Sequence, residues 1–162
     1  MPFKRSEDRG FVAIGLEKPN KIPNIGSALR ACACYGASML AISGNQSFNI
    51  NHIKTDTARS SRHIPVIRGE LQDLIPYNAI PIAVDIIEGA IPLWDYVHPE
   101  RAFYIFGPEA GTVNKKITSW CKDTIYVPTN YCMNLGVTVN VVLYDRLAKR
   151  YKDEYFSVKR SY

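Results

Sequence analysis

The chain of 162 residues is predicted to fold as an α/β protein with a mainly parallel sheet flanked by helices. Short apolar runs of strand length alternate with helix-like segments, as they do when helices connect parallel strands. No glycine–serine linker or internal repeat divides the chain. We therefore expect a single domain over residues 1–162, with a core from about residue 11 to residue 150 and a basic tail over residues 151–162.

Six apolar runs predict the strands of this sheet. They cover residues 11–16, 39–42, 64–67, 80–85, 102–106 and 124–127. The first helix is predicted over residues 25–35, with Asn24 as its N-cap, because a short polar side chain can accept hydrogen bonds from the first turn.

Composition favours some classes of binding partner over others but identifies no particular partner. The formal net charge of +5 favours a polyanion. The charged start over residues 1–8 and the lack of a long apolar run lead us to expect a cytoplasmic protein with no membrane partner. The four cysteines form no Cys-x-x-Cys pair and the three histidines are scattered, so no metal site is expected.

The first candidate motif runs from Asn24 through Gly26 to Arg30. A capped helix start presents free N–H groups that attract anions, and Arg30, four residues after Gly26, shares that face. Such an arginine could hold a phosphate and lower the pKa of a nearby hydroxyl. The alternative is a capped helix with a surface arginine.

The second motif is Gly107-Pro108-Glu109, after the fifth predicted strand. Ligands of open α/β sheets bind beyond the carboxyl ends of strands, and Gly107 permits close approach of the backbone. Glu109 could bind a cation, orient an arginine or cap the following helix. The alternative is an ordinary tight turn.

The third motif covers residues 127–137, where Pro128 ends the sixth predicted strand. The loop that follows offers backbone N–H and C=O groups, which suit an adenine edge. Met133 and Leu135 offer apolar walls. The alternative is a plain strand-to-helix connection.

In their order, the three motifs resemble the SpoU–TrmH branch of the SPOUT RNA methyltransferases. That branch carries Asn-x-Gly-x-x-x-Arg, matched by residues 24–30, and Gly-x-Glu, matched by residues 107–109. It also carries a proline and a loop before Ser-Leu/Met-Asn, matched by Pro128 and by Cys132-Met133-Asn134. Residues 56–66 resemble its small-residue stretch, and the likeness covers about residues 12–150.

The resemblance implies a carboxyl-terminal trefoil knot and a homodimer with its site at the subunit interface. It implies S-adenosylmethionine as cofactor and methylation of a ribose 2′-OH in RNA. The lack of an added RNA-binding domain and the Met133-Asn134-Leu135 sequence resemble the small TrmL-like form of the family. That form modifies the wobble nucleotide of certain tRNAs, so we favour tRNA as the substrate.

The resemblance also assigns residues to roles. Those expected in catalysis are Arg30, Asn24, Glu109 and Asn134. Those expected to contact the cofactor, in loops after the fourth, fifth and sixth predicted strands, are Asp85, Ile86, Gly107, Val127, Cys132, Met133 and Asn134. Charge, not the resemblance, gives the basic residues that are expected to contact RNA phosphates, which are Lys54, Arg59, Arg62, Arg68, Lys149 and Arg150.

Two departures keep alternatives open. Cys132 stands where the family has serine, and Thr112 stands where glycine is common. The alternatives to a tRNA enzyme are a 2′-O-methyltransferase acting on rRNA and a non-catalytic knotted dimer that binds RNA.

Residues 137–141 give a conflicting local signal. Their apolar and polar residues alternate, which favours a strand, yet they continue without a breaker into helix-like residues 143–150. With the resemblance, we interpret residues 135–150 as one long helix. A helix that is apolar on most sides must be covered on most sides, which again favours a subunit interface.

Overall fold

The computed structural model describes the backbone of residues 10–159 and the side chains of residues 10–50 and 52–152. Its strands are β1 (Phe11–Leu16), β2 (Met39–Ile42), β3 (Val66–Arg68), β4 (Ile80–Val84), β5 (Ile91–Pro92), β6 (Arg101–Phe106) and β7 (Asp123–Tyr126). Its α-helices are α1 (Ile22–Tyr35), α2 (Lys115–Trp120) and α3 (Leu135–Lys159). Short 3-10 turns cover Ile50–His52, Ser60–Arg62 and Leu93–Asp95.

The seven strands form one sheet in the order β3-β2-β1-β6-β4-β7-β5, and every pairing is parallel. The predicted α/β class is thereby confirmed. Because all the strands run in one direction, their carboxyl ends lie at a single edge of the sheet. The loops after β4, β6 and β7 therefore meet there.

Both faces of the sheet are covered. On one face, Ile14 and Tyr104 of the central strands pack in a large core with Leu29 of α1 and Val139 of α3. On the other, a smaller core is built around Phe103. Alternation along β6 sends Tyr104 to one core and Phe103 to the other, as the period of a strand requires.

The predicted long helix is confirmed, since α3 begins at Leu135 and includes residues 137–141. Leu135, Val139 and Leu143 are buried on its inner side. Tertiary burial thus overrides the strand preference of the valines. The helix continues to Lys159, so residues 151–159 of the predicted tail are helical in backbone.

Several boundaries differ from the prediction for reasons that involve proline. Helix α1 begins at Ile22, not residue 25, because Pro23 lies in its first turn, where a missing N–H costs nothing. Strand β3 begins at Val66, not residue 64, because Pro65 has no N–H for the ladder.

The two-residue strand β5 was not predicted.

Some expectations fall on residues that the structure leaves out. The charged amino-terminal stretch and the last part of the predicted basic tail, residues 160–162, lie outside the described residues. Among the helices that are described, none is long and apolar enough to cross a membrane.

Candidate functional site

An open cleft lies at the carboxyl edge of the sheet, where the loops after β4, β6 and β7 converge. It encloses about 710 Å³, including the solvent at its mouth. Its lining residues are Val84, Asp85, Ile86, Phe106, Gly107, Pro108, Glu109, Gly111, Tyr126, Val127, Thr129, Cys132, Met133, Leu135 and Thr138. The space suits a small-molecule ligand.

The structure brings most of the predicted cofactor contacts together in this cleft. Asp85, Ile86, Gly107, Val127, Cys132 and Met133 all line it, whereas Asn134 does not. Sequence reasoning did not assign cofactor contacts to Phe106, Tyr126, Thr129 and Thr138. The ends of β6 and β7 could have signalled the first two, because strand ends flank such sites.

The carboxylate of Glu109 holds the start of α1. It accepts hydrogen bonds from the backbone N–H groups of Asn20 at 2.7 Å and Lys21 at 3.0 Å, and from the Asn24 side-chain amide at 2.9 Å. Partial burial tends to raise the pKa of the Glu109 carboxyl, but these donors together hold it below its ordinary value. The anion at this helix start is therefore the protein's own ionised carboxylate.

Asn24 connects Glu109 to the start of α3. Its side-chain oxygen accepts from the Asn134 amide at 2.8 Å. The Asn134 side-chain oxygen in turn accepts from the N–H groups of Gly136 at 2.9 Å and Val137 at 3.3 Å. The predicted capping role of Asn24 is wrong, because the helix starts earlier and its cap residue is Lys21, with no side-chain cap bond.

Asp85 ties two of the cleft loops together. Its carboxylate accepts from the N–H of Ile86 at 2.7 Å, beyond β4, and from the N–H of Val113 at 2.6 Å, beyond β6. Gly107 lies close to this link, since a Cβ there would be 3.0 Å from the Val113 nitrogen. The loop after β6 is thus held at close range, and a side chain at residue 107 would press on it.

The backbone of the other cleft segments has unengaged hydrogen-bonding groups. Within the described part of the chain, the N–H groups of residues 110–111 and 129–133 donate to no backbone carbonyl. The Thr129 hydroxyl donates to the Tyr131 carbonyl at 2.8 Å, which shapes the loop after β7. Backbone groups beside a cleft without internal partners are available to a ligand.

Arg30 lies outside the cleft of its own chain. Its side chain is exposed and donates to the Thr57 hydroxyl at 2.8 Å. Gly26, one turn earlier, lets the loop approach α1, because a Cβ there would be 2.1 Å from the Thr55 hydroxyl oxygen. One chain therefore does not place Arg30 against the cleft.

The predicted RNA contacts divide into two groups. Lys54, Arg59 and Arg62 are exposed around α1 and its facing loop. Arg68 is exposed but engaged, since its guanidinium lies 4.0 Å from the Phe48 ring centroid and donates to the Phe48 carbonyl at 3.0 Å.

Lys149 and Arg150, by contrast, are half-buried. The Lys149 ammonium donates to the carbonyls of Leu93 at 2.5 Å and Tyr96 at 3.1 Å and pairs with Asp145 at 2.8 Å. Its position anchors α3, and a phosphate contact would have to compete with three internal acceptors.

A buried polar cluster lies beneath α3, and no sequence pattern predicted it. His98 bonds the Asp145 carboxylate through Nε2 at 2.8 Å and the Tyr104 hydroxyl through Nδ1 at 2.5 Å. Burial lowers the pKa of His98 to about 4, although Asp145 opposes the shift. Arg146 donates to the carbonyls of Pro99 and Glu100. The cluster fastens α3 to the segment before β6.

The fold and the cleft together define an α/β protein with a ligand site at the carboxyl edge of a parallel sheet. Three sequence motifs meet there or just behind it. The sequence model of the SpoU rRNA methylase family matches residues 12–144. The chain belongs to this family.

Solved structures show the same fold. The SpoU methyltransferase AviRb from Streptomyces viridochromogenes, in complex with AdoMet, has a TM-score of 0.77 and 19% identity, covering 92% of this chain and 63% of that one. The A. aeolicus TrmH/SpoU tRNA modifying enzyme has a TM-score of 0.77 and 16% identity. The match covers 95% of this chain and 81% of that one.

A third structure is described as giving structural insights into the 2-OH methylation of C/U34 on tRNA. It has a TM-score of 0.71 and 20% identity, and the match covers 85% of this chain and 89% of that one. The chain thus spans less than two thirds of AviRb but most of the two tRNA-related proteins. No curated protein matches the sequence significantly.

Proposed function

We propose that the protein transfers a methyl group from S-adenosylmethionine to a ribose 2′-OH in RNA, and that the RNA is a tRNA. The observation that carries this proposal is the cleft at the carboxyl edge. Beside it, hydrogen bonds join the side chains of Glu109, Asn24 and Asn134. Family membership supports it, because these three residues belong to the motifs that resemble the SpoU–TrmH branch.

The residues of the cleft fit the proposed cofactor. The backbone N–H groups of Cys132 and Met133, which line the cleft and donate to no backbone carbonyl, can pair with an adenine edge. Phe106, Met133 and Leu135 provide apolar walls, and the carboxylates of Asp85 and Glu109 favour a positive charge such as a sulfonium. The AviRb structure with AdoMet supports the same assignment.

The chain's own contribution to the reaction would be alignment and charge stabilisation. S-adenosylmethionine, when bound, supplies an electrophilic methyl group. In the transfer, the ribose oxygen would form the bond to the methyl carbon as the bond from that carbon to sulfur breaks, and the hydroxyl proton would pass to water. Arg30 would stabilise the negative charge that develops on the ribose oxygen, a role that suits a guanidinium better than proton abstraction. Glu109, Asn24 and Asn134 would act as positioning residues, since their polar atoms hold the starts of α1 and α3.

A homodimer would bring Arg30 of one subunit to the cleft of the other. Support comes from α3, whose inner side is buried while Val137, Tyr144 and Tyr151 are 48%, 60% and 56% exposed. These three residues are spaced by seven, so they share one helix face. An apolar stripe of this kind is typical of an interface.

We also propose that α3 completes a trefoil knot. Support comes from its contacts with the segment between β5 and β6, where Arg146 and Lys149 donate to carbonyls of residues 93–100. A crystal structure traced without reference to relatives would test the threading. A chain path that leaves α3 outside that segment would remove the knot from the proposal.

The choice of tRNA, at the wobble position, rests on the two tRNA-related structures of similar length. The main alternative is rRNA, which the family's description favours. RNA would approach over Lys54, Arg59 and Arg62. We place the reaction in the cytoplasm as part of the same proposal.

The deciding experiment uses methyl-labelled S-adenosylmethionine with total tRNA and, separately, with rRNA. Nucleoside mapping of the product should reveal a 2′-O-methylated nucleoside in tRNA. Label only in rRNA would establish the alternative substrate, and label on a base would contradict ribose methylation. If the protein bound RNA while calorimetry showed no binding of the cofactor or its demethylated product, the non-catalytic RNA-binding dimer would replace the enzyme.

A further inference from the structure

A second groove adjoins the cleft and has no role in the function proposed above. It encloses about 590 Å³ of open space and is lined by Ile86, Trp94, Tyr126, Val127, Pro128, Thr129 and Asn130. Ile86, Tyr126, Val127 and Thr129 line the cleft as well. The two spaces are therefore continuous along the carboxyl edge of the sheet.

Trp94 is the largest exposed apolar side chain of this groove. It is 64% exposed, and Ile86, which also lines the groove, is 56% exposed. Burying a tryptophan is favourable, and two large exposed apolar side chains that line one groove beside a cleft are a candidate surface for a ligand.

The indole is held in place from two directions. Its Nε1 donates to the Asp95 carboxylate at 3.1 Å, which fixes the ring edge. The turn that carries it, Leu93–Asp95, is anchored to α3, because Lys149 donates to the Leu93 carbonyl at 2.5 Å. A ring fixed in this way loses little entropy when a planar group stacks on it.

We propose that this groove takes a nucleobase of the RNA substrate, adjacent to the nucleotide that is methylated, and that the base stacks on Trp94. Asn130 and Thr129 would supply the polar contacts to its edge. The inference rests on the proposed function and adds a site that distinguishes RNA sequences close to the reacting ribose.

The charge of the groove selects a base over other parts of the RNA. The seven lining residues carry no formal charge, and the carboxylate next to Trp94 would repel a phosphate. A base is uncharged and planar, with polar groups along its edge. An amide side chain such as Asn130 can donate to and accept from that edge.

The cofactor is the other candidate occupant of this surface, and its position argues against it. The cleft beside the groove already encloses about 710 Å³ and is lined by Asp85, Glu109, Cys132 and Met133, none of which lines the groove. The groove contains neither carboxylate among its lining residues. Its continuity with the cleft places an occupant next to the reacting centre, as expected for a neighbouring nucleotide.

The test compares Trp94→Ala, Trp94→Leu and Trp94→Phe with the parent protein. Tyr77→Ala is the matched control, because Tyr77 is 84% exposed but precedes β4 and so lies at the opposite edge of the sheet. Equilibrium binding of total tRNA is measured over a range of salt concentrations with demethylated cofactor present, and cofactor affinity is measured in parallel by calorimetry.

Stacking of a base on an aromatic ring contributes about 1–3 kcal/mol, so Trp94→Ala should weaken RNA binding roughly 5- to 150-fold. Trp94→Phe should keep most of the affinity, whereas Trp94→Leu, which is apolar but not aromatic, should not. The salt slope should be unchanged, since no phosphate contact is lost. Cofactor affinity and the Tyr77→Ala control should match the parent.

A direct reporter is available because the chain has only two tryptophans. With Trp120→Phe as background, RNA binding should quench the fluorescence of Trp94. Unchanged fluorescence, or parental RNA affinity in Trp94→Ala, would overturn the proposal. A loss of cofactor affinity or of the dimer in Trp94→Ala would also overturn it, by assigning the groove to the cofactor or to the subunit interface.

The failure of the proposed function gives a different result. In that case the parent protein itself would methylate no RNA, and the assignment of a base beside the methylated nucleotide would fall with it. If the parent binds and methylates RNA while Trp94→Ala behaves like the parent, only the groove assignment is wrong.

Discussion

The Asn134 side-chain amide donates to the side-chain oxygen of Asn24 at 2.8 Å across 110 residues of sequence. Asn24 uses its own amide to reach Glu109 at 2.9 Å. Three motifs that are separate in the chain thus form one hydrogen-bonded unit. The unit joins the starts of α1 and α3 to the loop after β6, so the geometry of the cleft depends on all three residues.

Glu109→Gln should destabilise the protein and weaken cofactor binding. A neutral amide is a weaker acceptor for the N–H groups of Asn20 and Lys21, and one of its two polar atoms is a donor. We expect a loss of about 1–3 kcal/mol in the free energy of unfolding, measured with urea at neutral pH. Glu70→Gln, at an exposed carboxylate, is the control and should change little.

Gly136→Ala should be destabilising even though alanine favours helices. A Cβ at residue 136 would lie 2.6 Å from the Ser27 Cβ, so α3 would have to move away from α1. Overpacking of this kind costs about 1–3 kcal/mol. Ser27→Gly removes the clashing atoms and should restore stability in the double variant. Additive losses in the double-mutant cycle would contradict this contact.

Arg30→Ala should lower the rate of methyl transfer by about 100- to 1000-fold while cofactor affinity stays near the parental value. Arg30 lies outside the cleft that would hold the cofactor, so its loss should act on the transition state alone. Arg30→Lys should restore little of the activity, because the compact ammonium of lysine cannot make the paired hydrogen bonds of a planar guanidinium. The measurement is single-turnover methylation with calorimetry in parallel.

Two variants serve as controls for Arg30. Thr57→Val removes only the hydroxyl that accepts from Arg30 and should cost less activity than removing the guanidinium. Cys132→Ser restores the residue usual in the family and should keep or raise activity. Parental methylation by Arg30→Ala would refute the catalytic role of Arg30, whatever the fate of the other assignments.

Stability should fall as the pH drops below 7, because of His98. Its pKa is about 4 in the folded protein and near the ordinary 6.5 in the unfolded chain, so the unfolded chain takes up the proton first. Between pH 7 and pH 5 this should remove on the order of 1–2 kcal/mol from the free energy of unfolding.

The control for this pH dependence is His98→Gln, which has no imidazole to titrate. The variant should be less stable at pH 7, since it disturbs the contacts to Asp145 and Tyr104, but its stability should change less between pH 7 and pH 5. An equal pH dependence in parent and variant would show that another group is responsible. Urea unfolding at the two pH values measures both.

Basic residues should separate into those that bind RNA and those that hold the fold. Replacing Lys54, Arg59 or Arg62 singly with glutamine should flatten the salt dependence of RNA binding by about one unit of slope, because each exposed cation would release one counterion. Lys149→Gln should instead lower the midpoint of thermal unfolding, since Lys149 holds carbonyls of residues 93 and 96. A reversed pattern would place the RNA surface on α3.

Much of the fold is local in origin and was therefore predictable. The apolar runs that became β1, β2, β4, β6 and β7 are strands because of their length and residue types, and their alternation with helices led to a parallel sheet. That arrangement alone placed Asp85, Gly107, Val127 and Met133 at one edge, where all four line the cleft. The sequence by itself determined the class of fold and the place of the cleft.

Tertiary structure decided how the polar motif residues are used. Asn24 has the residue type of a helix cap, but it lies inside α1, where its side chain bridges Glu109, 85 residues away, to Asn134. Lys149 has the charge of an RNA ligand, but carbonyls brought near by the packing of α3 engage it. The partner of a polar side chain depends on which groups the folded chain places within hydrogen-bond distance, and for these residues the partners are distant in sequence.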